Sequence, residues 1–139
     1  KLDMFSSTYL TGEETTAEIA AKGILTGSSQ ARFDGSIDIA ETATGSQARL
    51  DEHTLLLSEK AKINAIPALK IATNEVKAGH AAGVTRIDEE QLFYALSRGI
   101  DEVTCTRALA KGFLESLYGD YAEKEKLSSM IEEKLFYNQ

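Results

Sequence analysis

The chain has 139 residues, of which 42% are hydrophobic and 27% charged, and its formal net charge is −7. This balance indicates a globular protein and argues against a disordered chain, a fibrous repeat, or a nucleic-acid binder that relies on clustered lysine and arginine. No apolar run approaches the roughly 20 residues of a membrane-spanning helix and no secretory signal opens the chain, so we expect a cytoplasmic protein. Because the first methionine is Met4, we expect the chain to be part of a longer protein.

Short apolar alternations predict β-strands up to about residue 85, each of roughly four to eight residues. The predicted strands lie at 17–20, 23–25, 32–34, 36–39, 62–64 and 70–71. Glycine and small polar residues fill the gaps between them, as is typical of turns. The single proline, Pro67, cannot donate to a strand ladder, so we expect it at a corner or at a sheet edge.

Parts of this β region repeat. The repeats pair 31–34 with 61–64, 37–40 with 69–72 and, more faintly, 29–33 with 46–50. Their offsets are 30, 32 and 17 residues. Such a period predicts a solenoid whose coils bury apolar side chains by stacking, most naturally a parallel β-helix, with a β-sandwich as the alternative. In the β-helix we expect four side chains to face inward: Ile37, Ile39, Leu69 and Ile71.

The pattern changes from strand to helix at Asp88. Asp88 and Gln91 have the spacing of a capping box, and the apolar residues that follow recur at helical intervals. Gly99 fits the cap at the end of this first helix. The sequence therefore predicts two domains, with β-helix coils over 1–87 and a small helical domain over 88–139.

Two further helices are predicted in the tail. One begins after its cap, Asp101, and runs toward Leu117 with Gly119 as its stop, while the other spans about 121–136. Six basic and 11 acidic side chains give the tail from residue 87 onward a net charge of −5. Cys105, the only cysteine, is expected to be a small packing residue, and one thiol suits a reducing compartment.

Residues with catalytic or ligand chemistry are few. No arrangement of acid, base and nucleophile, and no phosphate-loop or CxxC pattern, supports an enzyme. Isolated histidines such as His53 and His80 are more often surface or hydrogen-bonded groups than metal ligands. His80 stands among alanines and glycines that leave its ring accessible, although the same residues are also compatible with a turn before the helices.

A longer string of residues is more specific. It runs through NEVKAGHAAGV at 74–84, IDEEQLFY at 87–94 and SRGI at 97–100, with upstream matches at 23–27, 33–35 and 55–61. This string resembles the C-terminal signature of the SufB/SufD family of iron–sulfur cluster assembly proteins, and the upstream segments follow the order found in that family. The resemblance covers nearly all of residues 20–117.

The resemblance implies a right-handed parallel β-helix, followed by a small C-terminal helical domain. It implies a non-enzymatic scaffold component of a SufBCD-type complex, which pairs through its β-helix with a second SufB/SufD-type subunit, either another copy or a paralogue. The helical domain is expected to dock a SufC-like ATPase through Gln91, Leu92, Phe93, Arg98, Gly99 and Ile100. An iron–sulfur cluster is expected to form transiently at the subunit junction.

The match also contains departures. His80 corresponds to the histidine that SufD-type chains place at the junction, which implies a metal ligand, but many members carry a cysteine where this chain has Ala78. No thiolate is therefore expected from this position, and a SufD-like role fits better than a SufB-like one. Asp51-Glu52-His53 also replaces more neutral polar residues. The alternative function is a structural interaction module with a β-helix and docking helices but no metal chemistry.

Overall fold

The computed structural model describes residues 1–118 and 122–137, which form six strands followed by three α-helices. The strands are β1 (Leu2–Leu10), β2 (Thr16–Leu25), β3 (Gln30–Ile39), β4 (Gln47–Leu56), β5 (Lys62–Ile71) and β6 (Lys77–Arg86). The helices are α1 (Glu89–Ser97), α2 (Glu102–Glu115) and α3 (Lys124–Glu132), and a π-helical turn follows at Glu133–Tyr137. The strands are nine or ten residues long, so the six predicted short strands are pieces of β2, β3 and β5, whereas β1, β4 and β6 were not predicted.

Successive strands alternate between two sheets, with the orders β1-β3-β5 and β2-β4-β6. All four strand pairings are parallel, and paired residues are 29, 31, 32 and 30 positions apart in the chain. Two consecutive strands therefore make one coil, and three coils stack. The predicted parallel β-helix is confirmed, and the β-sandwich alternative is wrong because no antiparallel hairpin connects the six described strands.

The internal repeat matches this register only in part. Ile37 lies beside Leu69, as the offset of 32 predicts. Ala31, in contrast, lies beside Ile63 rather than Ala61, so the offset of 30 was wrong by two positions. The reason is that the whole of β3 keeps one register against β5, and the residues before β5 belong to the turn.

The fainter repeat marks half a coil. Gln30 and Gln47 are the first residues of β3 and β4, which belong to different sheets of the same coil. Pro67 lies in β5, an edge strand of its sheet, which confirms the predicted edge position. Proline has no backbone N–H to donate, and in an edge strand this loss does not interrupt the hydrogen bonding of a central strand.

The core lies between the two sheets, in the space that we call the lumen. Its buried members are Leu10, Phe33, Ile37, Ile39, Ala43, Ala48 and Leu50. Leu69 packs against this cluster while only partly buried. Ile71 pairs with Ile39 and shares its inward face, but it is 46% exposed because no further coil of the described chain stacks beyond β5. The prediction that Ile71 faces inward is therefore confirmed, although its side chain is not covered as that of Ile39 is.

Gly35 lies on the inward face of β3, where space is short. A Cβ at this position would lie 2.7 Å from Leu50 Cδ1 and 2.8 Å from Phe33 Cε1. We therefore expect Gly35→Ala to lower the free energy of unfolding by about 1–3 kcal/mol through overpacking, measured by urea denaturation. Gly79→Ala is the matched control, because a Cβ there meets no atom within 4 Å. Equal losses from both substitutions would contradict the packing described for Gly35.

Asp88 and Gly99 cap the first helix as predicted, but the predicted capping box with Gln91 is not formed in the described residues. The Asp88 carboxylate accepts a hydrogen bond from the backbone N–H of Glu90 at 2.8 Å. At the other end Gly99 adopts a φ of +83°, which is a left-handed conformation that glycine takes without steric penalty. The N–H of Ile100 then donates to the carbonyl of Ala95 at 3.1 Å, and this bond closes a Schellman motif.

Asp101 caps α2, as predicted. Its carboxylate accepts hydrogen bonds from the Thr104 N–H at 3.0 Å and from the Thr104 hydroxyl at 2.6 Å, and these bonds hold the pKa of Asp101 below its usual range. The helix ends at Glu115, slightly before the predicted end. The predicted stop at Gly119 and the predicted start of the last helix at 121 lie outside the described residues.

One lysine ties the helices to the β-helix. Lys22 Nζ, from β2, donates to the carbonyl oxygen of Phe113 at 3.1 Å and to the Ser116 hydroxyl, and it lies 4.9 Å from the centre of the Phe113 ring. The positive charge of this lysine at the last carbonyls of α2 also interacts favourably with the negative end of the helix dipole. Cys105 is buried in α2, as expected of a packing residue. The strands end at Arg86, near the predicted domain boundary.

Candidate functional site

His80 lies within β6, so the interpretation of this segment as a turn was wrong. β6 is an edge strand and belongs to the last coil of the β-helix. His80 pairs in parallel register with Leu50, whose side chain is 1% exposed in the core. The histidine therefore shares the inward face of its sheet. Its side chain is nevertheless exposed, because the described chain places no coil beyond β6.

Small residues surround this histidine. Ala78 and Ala82 stand on the same face of β6, two positions before and after it, and Gly79 and Ala81 are its chain neighbours. Alanine and glycine leave the ring open to a group that approaches from outside the coil. Within the described residues the His80 ring makes no hydrogen bond, and no group of three or more His, Cys, Asp or Glu side chains could hold a metal ion. Any metal at His80 would need ligands from elsewhere.

The last coil forms what we call the open end, defined by the inward side chains of β5 and β6. Ile71 is 46% exposed there and Val84 is 55% exposed. On their outer sides β5 and β6 are also edge strands, whose backbone groups have no neighbouring strand in the described chain. Exposed apolar side chains next to unpaired strand edges are features of a surface that associates with another chain. His80 lies within this surface.

The residues predicted to dock an ATPase lie on and just after α1. Gln91, Leu92 and Phe93 belong to the helix, and Arg98, Gly99 and Ile100 form its C-terminal turn. Phe93 is 73% exposed and Ile100 is 45% exposed, whereas Leu92 is half-buried. The Arg98 guanidinium lies 5.1 Å from the centre of the Tyr94 ring. We call the six predicted docking residues, without Tyr94, the α1 surface. Its role in docking stays a prediction.

The sequence reasoning missed one buried carboxylate, that of Glu52 in β4. Glu52 is 3% exposed and faces the lumen, where the Thr54 hydroxyl donates a hydrogen bond to it. A period-two alternation from the buried Ala48 and Leu50 could have located it, since residue 52 continues the same face.

None of the helices in the described part of the chain is both long enough and apolar enough to cross a membrane. The candidate surfaces are the open end and the α1 surface. The α1 surface and the β6 side of the open end lie in the part of the chain whose sequence carries the long motif at 74–100.

Comparison with known proteins identifies relatives of the chain. Residues 1–113 match the family model described as "SUF system FeS cluster assembly, SufBD core domain". The chain is 35% identical over 127 residues to the iron-sulfur cluster assembly protein SufD of Bacillus subtilis. It is 34% identical over 125 residues to the chloroplastic protein ABCI7 of Arabidopsis thaliana, and 31% identical over 101 residues to SufB of Bacillus subtilis.

These alignments cover most of this chain but little of the relatives. They include 89%, 89% and 73% of the chain in the order given, and 29%, 26% and 22% of the three relatives. The chain thus spans less than a third of each of these proteins. Between the two Bacillus subtilis proteins, it is more similar to SufD than to SufB.

Proposed function

Because this chain belongs to the SufB/SufD family of SUF-system iron–sulfur cluster assembly proteins, we propose that it is a SufD-like scaffold component of a SufBCD-type complex. The chain works without catalysis of its own, and ATP hydrolysis belongs to a partner. Its substrate is a nascent iron–sulfur cluster, held transiently at a junction with a second SufB/SufD-type subunit. The lone thiol, Cys105, suits the reducing environment of the cytoplasm, where we place the protein.

One observation carries this proposal. His80 is exposed on the inward face of the last coil, between Ala78 and Ala82, at the open end of the stack. Neutral imidazole is a good ligand for iron, and an exposed ring on a rigid strand can meet iron brought by another chain. A role as a ligand agrees with the match of His80 to the family histidine.

The second subunit is required by the chemistry of the site. Ala78 offers no thiolate, and Cys105 is buried in α2. The remaining ligands must therefore come from the partner at the junction. The exposed apolar side chains Ile71 and Val84, together with the open strand edges, supply a surface through which the two β-helices associate. The partner is a second copy or a paralogue.

The helical domain, over 88–139, is the proposed docking part for a SufC-like ATPase. Phe93 is 73% exposed on the short helix α1, and Ile100 follows it at the C-terminal turn. Exposed aromatic anchors are the side chains that most often dominate a protein interface. Lys22 links this domain to the β-helix by its hydrogen bond to the end of α2. A conformational change of the docked ATPase is transmitted to the β-helix through this link.

We expect Phe93→Ala to weaken binding of the full-length protein to a SufC-like ATPase by at least about tenfold, since truncating an aromatic anchor costs about 1.4 kcal/mol or more. Isothermal titration calorimetry measures this loss. Met130→Ala is the matched control, because Met130 is also an exposed apolar side chain, 49% exposed, but lies on α3. Unchanged affinity for Phe93→Ala, or an equal loss for Met130→Ala, would move the ATPase contact away from the α1 surface.

A further inference from the structure

Glu52 is a buried carboxylate within an otherwise mostly apolar lumen. It lies on the inward face of β4, the central strand of its sheet, and is 3% exposed. Its register partners are Ala21 on β2 and Ala82 on β6, so small side chains flank it on both sides along the column. Because alanine side chains are small, they leave space around the carboxylate group.

The two oxygens of this carboxylate have different surroundings. The Thr54 hydroxyl donates a hydrogen bond to Oε1, and Thr54 is itself 2% exposed. Oε2 is buried, and the described residues offer it no hydrogen-bond donor. Both side chains border a lumen cavity of about 260 Å³, whose other walls include the side chains of Met4, Phe33 and Ile63.

The two cationic residues at this cavity have their charges engaged elsewhere. Lys22 Nζ donates to the end of α2. The Arg32 guanidinium donates to both carboxylate oxygens of Asp34, at 3.0 and 2.7 Å. Neither head group pairs with Glu52. A buried carboxylate whose second oxygen lacks a partner is destabilising, and a ligand that brings positive charge to that oxygen removes the penalty.

We propose that the lumen cavity beside Glu52 binds one monovalent cation, with Glu52 Oε2 and the Thr54 hydroxyl oxygen as protein ligands and water completing the coordination. Carboxylate and hydroxyl oxygens are hard donors that suit alkali-type cations. A single carboxylate neutralises a monovalent ion, whereas a divalent ion would leave net charge in a low-dielectric space. At roughly 30 Å³ for each water, the cavity has room for a hydrated ion. Cation binding beside Glu52 is independent of cluster assembly.

The test is the thermal unfolding midpoint of the full-length protein in chloride salts of potassium, sodium or ammonium at constant ionic strength. N-methyl-D-glucamine chloride replaces them as the reference salt, because its organic cation is far larger than the three small cations. We expect a saturable rise of the midpoint with one or more of the three small cations, because a ligand of the native state stabilises it. Glu52→Gln should abolish that rise, and Thr54→Val should increase the half-saturating concentration by about tenfold through loss of a ligand.

Asp38→Asn is the matched control, because Asp38 is a carboxylate on the outward face of β3 and pairs with Lys70 at 3.4 Å. This variant should keep the wild-type response. A second measurement on the unsubstituted protein is independent of how any variant folds: crystals grown with rubidium should show an anomalous peak beside Glu52 Oε2. Absence of that peak, an equal response from Glu52→Gln and wild type, or a larger rise with magnesium chloride than with any of the three small cations would overturn the proposal.

Discussion

Replacing Ile37 by alanine should lower the free energy of unfolding by about 2–5 kcal/mol, the usual loss when a large aliphatic side chain is removed from a core. Ile37 is 0% exposed on the inward face of β3 and belongs to the main core cluster. Its strand is central in its sheet, with β1 and β5 on either side. The surrounding coils therefore restrict collapse around the cavity that the substitution creates.

The same substitution at Ile71 should cost at most about 1 kcal/mol, because much of the side chain is already in water and no closed cavity forms. Ile71 is 46% exposed at the open end, although it occupies the same inward face. Urea denaturation of both variants, in dilute solution of the full-length protein, makes the comparison. Equal losses at the two positions would show that the last coil is covered and would contradict the open end.

The sequence predicted the class of fold because alternation within a strand and repetition between coils are both visible in the residue pattern. Alternation around Phe33, Ile37 and Ile39 marks β3, and the repeat with 69–72 marks the coil period. The same alternation did not predict β6, since Ala, Gly and His fill most of the segment 77–83. Hydrogen bonding to β4 decides that this segment is a strand, and such long-range pairing is not encoded in local propensity.

The sequence predicted the accessibility of the candidate site residue, but not its position in the fold. The small neighbours of His80 indicated an accessible ring, and the ring is accessible. Its place on the inward face of an edge strand depends on the register with Leu50, thirty residues earlier in the chain. The burial of Glu52 likewise depends on which face of β4 turns toward the lumen. Ile71 faces inward as predicted, but its exposure depends on its place at the end of the stack, which local alternation does not reveal.

His80→Ala should lower the yield of cluster assembled by the complex by at least about tenfold, since even groups that only position a metal ligand are worth 10–100-fold in metal affinity. The fold should survive, because His80 is exposed and outside the core cluster. His53→Ala is the matched control. His53 is the other histidine, and it lies on the outward face of β4 beside Gly83.

The decisive measurement is therefore cluster formation by the complete complex of full-length protein, second SufB/SufD-type subunit and SufC-like ATPase, followed by visible absorbance after supply of iron and sulfide. Circular dichroism and co-purification establish that each variant is folded and assembled. We expect His80→Ala to assemble normally and to form little cluster, while His53→Ala matches the unsubstituted protein. An unchanged yield from an assembled His80→Ala complex would contradict it and would favour an interaction module without metal chemistry.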